Sequence, residues 1–158
     1  MIERYCLDTS FLVNGWRKTY HPNVFPTLWT ALDDLIAKGT VFSCEEVYLE
    51  IQKKTDDLAG WAKARKSAFL VPDDHVTLEM QNIMTKFRNF AAMGGSLNQA
   101  DPWVVSVARV IGAVVVTDEQ KAEKQKATKP PKLPNVCEAV HVGWMSPIQF
   151  LAAVNMKF

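Results

Sequence analysis

Short apolar runs alternate along this chain with longer stretches whose apolar residues recur at helical spacing. Tyr5-Cys6-Leu7, Val41-Phe42, Phe69-Leu70-Val71 and residues 113–117 read as strands. The last of these is almost continuously β-branched, as a strand buried on both faces should be. Residues 139–143 read as a fifth and final strand. Leu28, Ala31, Leu32, Leu35 and Ile36 share one face of a helix that starts at Pro26 and is stopped by Gly39. Thr9, Ser10 and Asn14 form a polar entry into an earlier helical stretch. Ser43 opens a helix carrying Val47, Leu49 and Ile51. Further helices are predicted over residues 61–68, 76–93 and 101–111, and from Ser146-Pro147 through Val154. Residues 120–134, rich in lysine and carrying Pro130, Pro131 and Pro134, read as a mobile loop. Strands that alternate with helices predict an α/β fold with a central, mostly parallel sheet flanked by helices.

In such a sheet the carboxyl ends of the strands share one crevice, where ligands bind. Acidic residues stand at successive exits into it. Asp8 follows the first strand directly, a position with little structural purpose beyond bonding the amides of its own turn. Glu46 and Glu50 lie four apart on one helix face. Ser43-Cys44-Glu45-Glu46 fits a capping box, which occupies Glu46 and leaves Glu50 free or paired with Lys53 or Lys54. Asp101-Pro102 fits an N-cap and first-turn pair, so Asp101 either caps its helix, ligates, or does both. Asp118 and Glu119 follow the fourth strand, and one of them completes the set. Crowded carboxylates call for a hard cation, Mg²⁺ or Mn²⁺. Thr9, Ser10 and Thr117 stand beside these acids and can orient them by hydrogen bonds.

The chain has 158 residues, 48% of them hydrophobic and 22% charged, which predicts one globular domain over residues 1–158. Basic and acidic side chains nearly balance, 18 against 17, so attraction to nucleic acid must come from a local patch. Lys121, Lys124 and Lys126, with Lys129 and Lys132 further along the same loop, are the substrate-binding candidates. Trp16 and Tyr20 could stack on unpaired bases or belong to the core. Cys6, Cys44 and Cys137 show no zinc or redox spacing and suggest a reducing, cytoplasmic setting. His21, His75 and His141 show no metal-ligand spacing. Nothing reaches the length of about 20 apolar residues that a membrane helix needs. A dehalogenase-type phosphatase would need a second Asp where Ser10 stands, and a receiver domain would need a Lys after its last strand.

Four segments carry a resemblance to the PIN-domain nucleases, including the VapC-like toxins, over nearly the whole chain. They are Tyr5-Cys-Leu-Asp-Thr-Ser10, Phe42-Ser-Cys-Glu-Glu-Val-Tyr-Leu-Glu-Ile51, Ala100-Asp-Pro-Trp-Val-Val-Ser-Val-Ala108 and Gly112-Ala-Val-Val-Val-Thr-Asp-Glu119. Trp29, Trp61 and Leu133-Pro-Asn-Val-Cys137 look like a less common branch. The resemblance implies a single PIN-like domain with strand order 3-2-1-4-5. It also implies a site of Asp8, Glu50, Asp101 and Glu119 around Mg²⁺ or Mn²⁺, with Glu119 chosen over Asp118, and Glu replacing the commoner Asp there. The implied activity is metal-dependent endoribonuclease cleavage of RNA, as the toxin of a toxin–antitoxin pair. Partners would be RNA, an antitoxin protein and a second copy in a homodimer, with no membrane. The alternative is an inactive PIN-like module that binds RNA or protein.

Overall fold

The computed structural model describes residues 2–90, 99–124, 126 and 129–158. In chain order it contains β1 (Tyr5–Leu7), α1 (Thr9–Asn14), α2 (Pro26–Ala37), β2 (Val41–Cys44), α3 (Glu45–Gln52), α4 (Asp57–Lys63) and β3 (Phe69–Leu70). These are followed by α5 (Asp74–Lys86), α6 (Asp101–Ile111), β4 (Val114–Val116), α7 (Leu133–Ala139), β5 (Trp144–Met145) and α8 (Pro147–Ala153). A π-helical segment, Gly15–Thr19, continues α1, and a 3₁₀ turn, Lys66–Ala68, precedes β3.

The five strands form one sheet in the order β3-β2-β1-β4-β5, parallel throughout. Tyr5 pairs with both Val41 and Val114, so β1 is central, and every residue of β1 and β2 is buried. Strand side chains alternate between faces. Tyr5 therefore meets Phe150 of α8 edge-on at 5.1 Å, while Cys6 points to the opposite face. Cys6, Cys44 and Cys137 are free and buried. Burial pushes the Cys44 thiol up to about 12, so it packs as an apolar group. Helix α6 buries Val104, Val105, Val107 and Ala108 and ends at Gly112, whose φ of 82° is a left-handed cap that glycine adopts freely. Trp16, Trp29 and Trp61 form a cluster with centroid separations of 4.8 to 6.0 Å, in which Trp29 meets the other two edge-on.

Local expectations failed in five places. Residues 139–143 are not the last strand. Val136 to Val142 finish a helix and its turn, His141 takes a φ of 61°, and β5 begins only at Trp144. Within the expected loop, Leu133 starts α7, with Pro134 in its first turn. Helix α4 begins earlier than expected because Asp56 caps it, accepting from the Ala59 amide. The capping box at Ser43 does not form: Ser43 stays in β2, and its hydroxyl donates to the Leu7 carbonyl at 2.6 Å. The box at Ser146 and Gln149 does form. The expected helix over 76–93 is observed as Asp74–Lys86: residues 87–90 form a bend and turns, and residues 91–93 fall outside the described residues.

Candidate active site

Strand ends place Asp8 and Glu119, and helices α3 and α6 place Glu50 and Asp101. Asp8 is the first residue beyond β1, and its amide donates to the Val116 carbonyl at 2.9 Å. Its side chain makes no capping hydrogen bond at the start of α1, although the Thr9 and Ser10 amides lie near enough to favour its charged form. Oδ2 instead accepts from the Ser10 hydroxyl at 2.7 Å and the Thr117 hydroxyl at 2.9 Å. Each hydroxyl has a single proton and two lone pairs. The Asp118 amide donates to Ser10 Oγ, and the Glu119 amide donates to Thr117 Oγ1. Those amides occupy lone pairs and leave both hydroxyl protons for Asp8. The 3.1 Å approach of the two hydroxyls is then proximity. Asp8 is 2% exposed, and its Oδ1 is buried without a hydrogen-bond partner.

Glu50 lies on α3, and its Oε1 accepts from the Ala100 amide at 3.1 Å, at the N-terminus of α6. The buried Thr9 hydroxyl lies close enough to Glu50 to favour its charged form, yet outside hydrogen-bond geometry, so it stays unpartnered. Asp101 is the first residue of α6, where Ala100 holds the cap position, and the Asp101 side chain caps nothing. It is nonetheless only 5% exposed. Glu119 accepts from the Leu133 amide at 2.9 Å, the first N–H of α7. The alternates face elsewhere. Asp118 is exposed and accepts from Asn14 Nδ2 at 2.8 Å, and Glu46 does not line the pocket that the four acids share.

That pocket has a volume of about 340 Å³ and brings together Asp8, Glu50, Asp101 and Glu119 from four separate parts of the chain. All four carboxyls are pushed above their ordinary values, in each case first by burial. For Asp101 the negative charges of Asp8, Glu119 and Glu50 add to burial, and its shift is large. Among the described residues no three acidic, histidine or cysteine side chains stand close enough together to hold a metal ion as placed. The donor set still fits a hard cation: it is all oxygen, one buried oxygen lacks any partner, and Mg²⁺ typically keeps several waters.

Of the lysines expected to contact substrate, Lys132 stands near enough to Asp101 and Glu119 for its charge to favour their ionised forms; the rest of the positive side of the pocket was not foreseen. Arg17, Lys53 and Lys54 line it. Lys53 and Lys54 lie three and four residues beyond Glu50, and this spacing was the available signal. Lys121 is paired with Glu138 at 2.9 Å, and neither it nor Lys124 nor Lys126 lines the pocket. Trp16 is a member of the tryptophan cluster and Tyr20 packs edge-on against Phe25, so both serve the core.

The family model described as "Domain of unknown function (DUF4411)" matches residues 5–158. The chain belongs to this family. No curated protein matches it. Among solved structures it is similar to VapBC2 from Rickettsia felis bound to a DNA fragment from its promoter, at 15% identity and a TM-score of 0.52. That match covers 90% of this chain and 97% of the other. FitAcB from Neisseria gonorrhoeae matches at 16% identity and 0.54, covering 91% and 98%. PAE2754 from Pyrobaculum aerophilum matches at 17% and 0.52, covering 99% and 98%. The chain shares the fold of these structures, the PIN fold, with the strand order that the resemblance implied. Among the described residues no helix is long and apolar enough to cross a membrane.

Proposed function

We propose that this protein is a metal-dependent endoribonuclease that hydrolyses RNA phosphodiesters. The observation that carries the reading is the meeting of Asp8, Glu50, Asp101 and Glu119 in one pocket at the carboxyl ends of the strands. Their raised proton affinities and the unpartnered Asp8 Oδ1 describe carboxylates arranged for a cation. Asp8 and Asp101 would be its principal ligands, with Glu50 and Glu119 completing or orienting the shell. A bound Mg²⁺ or Mn²⁺ supplies activation of a water and charge stabilisation on the scissile phosphate.

The chain's own residues do the positioning. Ser10 and Thr117 hold Asp8 by one oxygen and leave the other without a partner. The Ala100 and Leu133 amides fix Glu50 and Glu119 at the N-termini of two helices, where negative charge is favoured. The buried Thr9 hydroxyl sits beside Glu50 and favours its charged form. The likeness to VapBC2 and FitAcB supports a toxin role with a small antitoxin protein as partner, and the buried free thiols suit a reducing cytoplasm.

The deciding experiment incubates purified protein with single-stranded RNA under Mg²⁺, Mn²⁺ or excess EDTA. Cleavage that requires the metal and is absent in Asp8→Asn is the expected result. Cleavage undiminished in chelator would overturn the metal mechanism. Binding of RNA without any cleavage would make the protein a binding module.

A further inference from the structure

The acids account for only part of the pocket. Its rim carries three cations that come from two elements. Arg17 stands on the π-helical segment after α1, and Lys53 and Lys54 stand at the end of α3, one turn beyond Glu50. We infer that Arg17, Lys53 and Lys54 form the anion-binding rim that holds backbone phosphates flanking the scissile one in single-stranded RNA, an assignment that rests on the nuclease reading above.

The geometry of Arg17 is that of an oriented donor. Its Nε and Nη2 both donate to Asp56 Oδ2, at 3.2 and 2.6 Å. Asp56 is itself anchored, because its other oxygen accepts from the Ala59 amide at the start of α4. Two of the five guanidinium N–H groups are thereby used, and three remain, including both on Nη1. The side chain is 28% exposed, so those donors remain in reach of a ligand. A guanidinium fixed along one edge loses less freedom on binding phosphate than a free one does.

Lys53 and Lys54 form no ion pair among the described residues, and both line the pocket. Lys121, by contrast, is engaged with Glu138. With a net charge of only +1, the protein as a whole attracts a polyanion weakly, so a local cation set must overcome the repulsion of four acids. The cavity of about 340 Å³ also has apolar walls at Val13 and Ile51. A space of that size can take an unpaired base, which single-stranded RNA offers and a stacked duplex does not.

The test measures binding of a labelled single-stranded RNA oligonucleotide by fluorescence anisotropy, in EDTA, over a series of NaCl concentrations. Wild type is compared with Arg17→Ala, with Lys53→Ala/Lys54→Ala, and with Lys121→Ala/Lys124→Ala/Lys126→Ala. Arg17→Gln, which keeps a donor for Asp56 without the charge, replaces Arg17→Ala if that variant does not fold. The rim variants should weaken binding several-fold and make the salt dependence shallower by about 0.7 in log–log slope per lost phosphate contact. The loop variant should bind like wild type. Wild-type affinity and slope in the rim variants, an equal loss in the loop variant, or no RNA binding by the wild type would each overturn the assignment. Cleavage by the wild type in Mg²⁺ is scored separately. Absent cleavage with the rim pattern intact removes the nuclease and keeps the rim, and cleavage without the rim pattern does the reverse.

Discussion

The Thr117 hydroxyl donates to Asp8 Oδ2 across 2.9 Å, and both residues are the first beyond the ends of neighbouring parallel strands. The bond ties the exits of β4 and β1 together. It also decides which oxygen of Asp8 is left unpartnered. Thr117 is fully buried, so water has no ready route to replace it.

Thr117→Val keeps the shape and removes the donor. Hydrogen bonds to charged groups are worth about 1.5–3 kcal/mol, so unfolding in denaturant at neutral pH should show a loss of that order. Asp8, already raised by burial, should rise further, and the acid limb of the pH–rate profile should move to higher pH. A variant with wild-type stability and an unshifted profile would show that the bond is dispensable.

The metal-free protein should melt at lower temperature as pH rises above the ordinary carboxylate range. Asp8, Glu50, Asp101 and Glu119 have folded-state pKa values raised above their ordinary ones. A group of that kind stabilises the fold fully below its unfolded pKa, roughly pH 4 for carboxyls, and that contribution is lost as pH rises through the folded pKa. Asp56 and Glu138 are shifted the other way. For Asp56, burial is the largest single influence and raises it, but the Ala59 amide, Arg17 and Lys54 together outweigh that, and for Glu138, Lys121 and Trp144 hold it low. Their contributions vanish only on acidification, below that window. Melts in EDTA from pH 4 to 8 should therefore decline, and Mg²⁺ should offset the decline at the high end by binding the folded state. A melting temperature that climbs across the window without metal would contradict the four shifts.

Asp101→Asn separates charge from structure. Its side chain caps nothing, so the substitution sacrifices no cap bond. Removing one charge from the cluster relieves repulsion, and the variant should melt at the same or a higher temperature in EDTA. It should gain little from Mg²⁺ and lose RNA cleavage. Full activity in Asp101→Asn would refute the site as drawn.

Two matched pairs test the facing of the acids. Glu50→Gln and Glu119→Gln keep an acceptor for the Ala100 and Leu133 amides and should abolish cleavage with little change in melting. Glu46→Gln and Asp118→Asn alter carboxylates turned away from the pocket and should leave most of the activity. The reverse pattern, scored by RNA cleavage on folded variants, would assign the wrong member of each pair.

Much of the architecture was legible because it is encoded locally. Helical spacing marks the buried face of α2, the run of valines marks β4, and Gly39 and Gly112 mark helix stops through the positive φ that each takes. The end of the chain was misread for a physical reason. Residues 139–143 alternate apolar and polar like a strand, but Val140 and Val142 are buried as the finish of α7, and only pairing with β4 places the strand at Trp144–Met145.

By itself the sequence determined which residues stand at the strand exits, because strand length and the order of the elements are local properties. It could not determine where their side chains point. Glu46 and Glu50 share a helix face, and only the approach of Ala100 from α6 singles out Glu50. Asp118 and Glu119 are adjacent, and Asn14 on one side and Leu133 on the other turn them apart. Ser43 satisfies a capping pattern, yet the Leu7 carbonyl of the neighbouring strand takes its proton. Arg17, Lys53 and Lys54 reach the pocket through the packing of α1 against α3, a contact between residues more than thirty positions apart. In each case a hydrogen-bonding group had several partners of similar strength within reach along the chain, and the tertiary fold chose among them by bringing one close.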